Sequence, residues 1–200
     1  MTGARIEQVP ETDPAAARGN VTIRDAMPED MPVVQRIYAH HVQNGTATFE
    51  EIPPSESEML RRRGSILEQG LPYLVAQSGE RIAGYAYAAP YRTRSAYRYT
   101  IEDTIYLAHD MLGQGMGQAL LATLIQRCEQ GPWRQMIAVI AGNHNLGSIN
   151  LHRKMGFAHA GTQPATGYKF KQWIDVIFMQ RALNGGHLTP PDESYGRPGE

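Results

Sequence analysis

A single cysteine, Cys128, is all the thiol chemistry this 200-residue chain has, so no internal disulfide can hold its fold. That thiol closes the run Leu120-Leu121-x-x-Leu124-Ile125-x-x-Cys128, whose spacing puts it on the apolar face of a helix, where it reads as packing rather than as a nucleophile. A lone thiol fits a reducing cytosol, and a cytoplasmic location is the expectation. No apolar run is long enough to cross a bilayer, and residues 1–20 lack the apolar stretch of a secretory signal. The formal net charge is only −1, which excludes a general basic field for nucleic acid or an anionic membrane and leaves a small molecule as the expected partner. The seven histidines are scattered without paired ligand spacing, so no metal is expected.

What is present is apolar material, 42% of residues, sufficient for one domain with one core. Residues 1–20 and 184–200 carry few core-forming side chains and are expected to be flexible tails around a domain at 21–183. Val21-Thr-Ile-Arg24 reads as a first strand, and Pro28 opens a helix with Met31, Val34, Ile37, Tyr38 and His41 at helical spacing. Ser55-x-x-Glu58 is a capping-box pattern ahead of a second helix. Tyr73–Gln77 and Arg81–Ala89, joined through Ser78-Gly79, suggest a hairpin, and a third strand runs from Tyr99 to Leu107. A helix to about Gln130, a buried strand at Met136–Ala141, a short helix over Asn145–Lys154 and a last strand or strand pair over Tyr168–Arg181 complete the order.

The most informative stretch joins the strand ending at Leu107 to the helix ending near Gln130 through Gly113, Gly115 and Gly117. Glycines at such a turn let the backbone bend and approach a ligand, and the helix behind them directs unpaired N–H groups and its positive end at an anion. A Walker loop requires Gly-Lys followed by Ser or Thr, whereas Gln118 follows Gly117, and a dinucleotide fingerprint requires its third glycine one position later. What is left is Gly-x-Gly-x-Gly at a strand-to-helix turn, either a phosphate cradle or a glycine-rich helix entry without a ligand.

This turn resembles the pyrophosphate loop of the GNAT family of N-acetyltransferases, and the order of elements is similar across nearly the whole core. Thr48-Phe-Glu50, Tyr99-Thr-Ile-Glu-Asp-Thr-Ile-Tyr-Leu107, Ser148-Ile-Asn-Leu-His-Arg-Lys-Met-Gly-Phe157 and Gly167-Tyr-Lys-Phe-Lys-Gln-Trp-Ile-Asp-Val176 look like the phosphinothricin and methionine sulfone or sulfoximine acetyltransferase branch. The resemblance implies a single-domain α/β GNAT fold with a mixed central sheet flanked by helices. It also implies acetyl-CoA as co-substrate, a small-molecule amine as acceptor and a homodimer.

It further implies that the backbone of Ile105, Tyr106 and Leu107 pairs with the pantetheine arm while Gly113, Gln114, Gly115, Met116, Gly117 and Gln118 hold the pyrophosphate. Leu112 departs from the family pattern, which has Gln or Arg there. Asn145 matches a position that contacts the cofactor arm, though an ordinary helix cap is the other reading. Substrate contacts fall on Arg92, Thr93, Arg94, Glu102, Asp103 and Thr104. Amide formation needs a neutral amine, and Glu102 is the candidate base, with solvated strand carboxylates as the alternative for Glu102 and Asp103. His152 stands where many family members place a tyrosine that serves the departing sulfur, and a satisfied structural histidine is its other reading. Arg92 and Arg94 suit an anionic acceptor, and Phe49, Tyr97 and Trp173 are second-tier candidates for apolar walls.

Overall fold

The computed structural model describes residues 21–192 and Tyr195; the tail expected at 1–20 lies outside the described residues. Seven strands form one sheet in the order β1-β2-β3-β4-β5-β7-β6. They are β1 (Val21–Asp25), β2 (Tyr73–Ser78), β3 (Arg81–Pro90), β4 (Thr100–Leu107), β5 (Gln135–Ala141), β6 (Ala158–Lys169) and β7 (Gln172–Ala182). The helices are α1 (Met31–Asn44), α2 (Glu56–Glu68), α3 (Met116–Cys128) and α4 (Leu146–Lys154).

Among the described residues only β4 and β5 pair in parallel, and α3 makes the crossover between them. Their ladder runs from Thr100/Gln135 to Asp103/Ala138 and stops there. Beyond it, β4 stays paired with β3 as far as Leu107, while Val139, Ile140 and Ala141 of β5 pair with β7. The two strands therefore part, and the fork between them is the feature that positions the site.

Side-chain alternation along β4 separates the layers. Tyr106 meets Tyr38 of α1 edge-on at 5.0 Å, so α1 covers one face. On the other face, the space beside Gly117 of α3 is filled by Leu107, Ile105 and Leu151. The core joins Val34, Ile37 and Val42 of α1 with Leu120, Leu121, Leu124 and Cys128 of α3 around the strands. Cys128 is fully buried, and burial pushes its thiol up to about 12, as expected for packing rather than reactivity.

Two local expectations need correction. Only half of the capping box at α2 forms: Ser55 Oγ accepts from the Glu58 amide at 3.1 Å, but the Glu58 carboxylate is drawn off by Arg61 at 2.8 Å and Arg62 at 2.9 Å. The stretch Ala158–Gly167, assigned to no strand from its sequence, is most of β6. It is an edge strand, mostly exposed, with register shifts near His159 and Gln163, and so shows no alternation of apolar and polar residues.

After β7 the chain remains against the body. Arg134 donates to the carbonyls of Gly186 at 2.9 Å and Thr189 at 2.8 Å, and Tyr99 donates its hydroxyl proton to the Asp192 carbonyl at 2.7 Å. Within the tail expected from 184, the segment as far as Asp192 is thus bonded to the domain. Among the described residues no helix is long and apolar enough to cross a membrane.

Candidate active site

Glu102, Asp103 and Thr104 are consecutive in β4 and so cannot share a face. Glu102 pairs with Ala89, Thr104 with Tyr87 and Tyr106 with Tyr85, which puts Glu102 and Thr104 on the face of tyrosines under α1. Tyr87 stacks on Tyr73 at 4.9 Å, and Tyr85 lies 5.7 Å from Tyr106. Glu102 is half-buried beside this wall. Burial, with the charge of Asp103 added, raises its carboxyl to about 7 against the opposing effect of Arg92. A carboxyl near neutrality can both take and return a proton at working pH, which is what an amine acceptor demands.

Asp103 points the other way. Its Oδ2 lies 2.9 Å from His152 Nε2, and the His152 Nδ1 lies 2.8 Å from the Ser148 carbonyl. Both side chains are almost wholly buried, at 2% and 1% exposure. Burial opposes charge on the ring, but the hydrogen bond and charge of Asp103, with the Ser148 carbonyl, outweigh it and raise the His152 pKa. An imidazolium donating through both nitrogens satisfies this geometry. Two expectations change as a result: Asp103 is turned away from the face that Glu102 and Thr104 share, and His152 has no free donor for a departing thiolate. The pair instead ties α4 to the back of β4.

The glycine turn has the conformation its sequence implies. Gly113 and Gly115 have φ of +76° and +82°, a left-handed region that other residues enter at a cost, and nothing lies within 4 Å of where their side chains would project. Gln114 lies between them, and Gly115 caps α3; the Gln118 amide already donates to the Gly115 carbonyl at 3.1 Å, while Met116 and Gly117 at the helix start have no carbonyl a turn earlier in the helix to accept from their amides. That open, amide-lined cradle fits a diphosphate. Leu112 is exposed at its edge. Ile105, Tyr106 and Leu107 line the β4 side of the fork, where the Leu107 carbonyl accepts from His41 Nε2 at 2.8 Å, and burial lowers the pKa of that histidine. Asn145 does cap α4, its Oδ1 accepting from the Ser148 amide at 3.3 Å.

Arg92, Thr93 and Arg94 lie on an exposed loop between β3 and β4. With Tyr91, Arg98, Ile101, Trp133 and Tyr195 they line a cavity of about 750 Å³ at the start of β4. Arg92 stacks on Tyr91 at 4.1 Å and reaches Glu102 electrostatically. Of the three, Arg92 is the one whose charge acts on Glu102. Phe49, Tyr97 and Trp173 are all substantially exposed and belong to no core. Among the described residues no cluster of three metal-ligating side chains occurs.

Two parts of the arrangement carried little local signal. The tyrosine wall is foreshadowed only by the alternation Tyr85-x-Tyr87, and the partner of Asp103 is 49 residues away.

Comparison with known proteins agrees with the geometry. An acetyltransferase (GNAT) domain profile matches residues 23–178. The phosphinothricin N-acetyltransferase of Alcaligenes faecalis is 51% identical over 88% of this chain and 89% of its own. The L-methionine sulfoximine/L-methionine sulfone acetyltransferase of Pseudomonas paraeruginosa is 36% identical over 86% of this chain and 99% of its own. The crystal structure of a phosphinothricin acetyltransferase from Sinorhizobium meliloti in complex with acetyl-CoA superposes with a TM-score of 0.84 at 47% identity, covering 86% of this chain and 94% of that one. With its forked sheet, its glycine cradle and these relatives, the chain belongs to the GNAT family of acetyltransferases.

Proposed function

We propose that this enzyme moves the acetyl group of acetyl-CoA onto the α-amine of a small amino-acid analogue of the phosphinothricin, methionine sulfone or methionine sulfoximine type. One observation carries the chemistry: Glu102, a half-buried carboxyl raised to about 7, stands on the tyrosine-lined face where β4 and β5 are about to part. Relatives named for those acceptors supply the substrate class.

Acetyl-CoA supplies an activated thioester carbonyl. Gly113, Gln114, Gly115, Met116, Gly117 and Gln118 hold its diphosphate, Ile105, Tyr106 and Leu107 flank its arm, and Asn145 offers its amide nitrogen while the oxygen caps α4. Glu102 accepts a proton from the acceptor's ammonium and frees the nitrogen lone pair for attack. As the C–N bond forms and the C–S bond breaks, the second amine proton is lost and the sulfur leaves as a thiol, with one net proton released. Thr104 and its cross-strand partner Tyr87 line the acceptor's path. Arg92, Thr93 and Arg94 receive the anionic end. Asp103 and His152 act from behind the strand by holding Glu102 in place.

Three further assignments belong to the same reading: a domain at 21–183 with the following segment to Asp192 bonded against it, a cytoplasmic location, and a homodimer. Tyr168, Phe170 and Trp173, all more than half exposed on the β6–β7 hairpin, support the dimer. A polyamine or aminoglycoside acceptor is the second reading, and Arg92, Arg94 and Arg98 around one cavity disfavour a polycation. The deciding experiment is an acetyl-CoA assay over amino acids, their sulfones and sulfoximines, phosphinothricin, a polyamine and an aminoglycoside. Turnover confined to the last two would overturn the proposed acceptor class.

A further inference from the structure

Lys169 ends β6 and is 2% exposed, an unusual place for an ammonium group. Its Nζ donates to the Gly45 carbonyl at 3.0 Å and the Thr48 carbonyl at 2.9 Å, both in the irregular segment between α1 and α2. Burial lowers its pKa, opposed by the charges of Glu51 and Glu50. The same segment is held from the opposite side. Thr48 Oγ1 and the Tyr38 hydroxyl lie 2.8 Å apart, and Tyr38 donates to Glu50 at 2.9 Å. Arg62 donates to that same Glu50 oxygen at 2.8 Å and to its other oxygen at 3.3 Å, and Tyr106 of β4 donates to the Ala47 carbonyl at 3.2 Å. Phe49 lies directly against the backbone of Gly167, leaving no room for any side chain there.

Tyr106 belongs to β4, whereas Gly167 and Lys169 belong to β6, in the half of the sheet that β5 begins. Segment 45–51 therefore spans the fork, anchored on both sides of it. Thr46 also lies beside Gly142, just past the end of β5. Two main-chain carbonyls in an irregular segment have no ladder to satisfy them, so the only way to bury them is to bring a donor.

We infer that Lys169 is a positioning residue of the acceptor site: through two carbonyls it fixes segment 45–51 across the fork and couples that segment's shape to the β6–β7 hairpin. The inference rests on the reading that the acceptor binds at the Glu102 face. Tyr38 and Tyr106, which the segment grips, form the wall of that face, so a loosened segment widens the acceptor's site while the glycine cradle is untouched.

The test is Lys169→Met, which keeps the length of the side chain and removes its donors. The expected result is an acceptor KM raised about tenfold, the scale of losing a charge-assisted contact, with kcat changed much less and the dissociation constant for acetyl-CoA unchanged. Hydrogen exchange at amides 46–50 should also quicken without ligand present. An unchanged acceptor KM overturns the inference whether or not exchange quickens, as does an equal loss of acetyl-CoA affinity. If the variant does not fold, the wild type decides: amides 46–50 and those at the hairpin tip should exchange through one opening with a common denaturant dependence, and two separate openings overturn the coupling. Exchange is read without turnover, so its outcome stands apart from any failure of Glu102 as the base.

Discussion

Glu102 and Asp103 are chain neighbours on opposite faces of one strand, the first on the tyrosine-lined face and the second bonded to His152 behind it. Their charges still interact, since Asp103 is among the causes of the raised Glu102 pKa. Work done on one face is thus felt on the other.

Replacing Glu102 with Gln keeps its shape and removes its basicity. Turnover should fall about a hundredfold or more with acetyl-CoA binding intact. Stability should move in the opposite direction. A carboxyl raised from 4.5 to about 7 makes the folded state hold a proton that the unfolded state releases, so the wild type loses stability as pH rises through that window. At pH 8 the Gln variant should be more stable, by up to about 3 kcal/mol, with no advantage near pH 4. Denaturant melts at both pH values, with initial rates, check both halves; wild-type turnover in a folded variant removes Glu102 as base.

The His152 pKa is raised above its ordinary 6.5, so the stability it contributes is fully present below that value and is lost as pH climbs through the folded-state pKa. His152→Phe leaves the Asp103 carboxylate buried without its partner, a change that costs about 3–5 kcal/mol. Urea unfolding should show a larger deficit at pH 6 than at pH 9, and adding Asp103→Leu should recover much of it. A deficit independent of pH would mean that the ring is neutral in the fold.

Gly115→Val places a branched side chain at φ +82° and into the open cradle. Coenzyme A should raise the thermal midpoint of the wild type, as any ligand selective for the folded state does, and the variant should show no such shift. An undiminished shift would move the diphosphate elsewhere.

Changing Arg92 and Arg94 together to Gln should raise the acceptor KM about tenfold if a charge-assisted contact worth about 1.5–3 kcal/mol is partly desolvated. The acetyl-CoA KM should stay as it was. Esterifying the acceptor's carboxylate should hurt the wild type far more than the double variant, and equal use of acid and ester by the wild type would rule out the grip.

Most of the fold was legible in the sequence because its elements announce themselves locally. Met31 to Val42 and Leu120 to Cys128 carry helical periodicity, and the glycines at 113 and 115 mark the turn between β4 and α3. Where function depends on distance in sequence, that signal fails. The Lys169 ammonium meets a carbonyl 121 residues away, and His152 looks the same on paper whether it faces a thioester or a buried aspartate. The face of β4 decides that, and a motif read as consecutive letters conceals the alternation. β6 escaped notice for the opposite reason: a strand that buries little has no pattern to show.

Asp103 is also the last residue of β4 to pair with β5. The buried bond to His152 therefore sits at the crotch of the fork. That bond joins β4 to α4, the helix that follows β5, so it braces the place where the strands part by way of the helix and not across the split; removing it should free α4 from β4 before it disturbs the sheet.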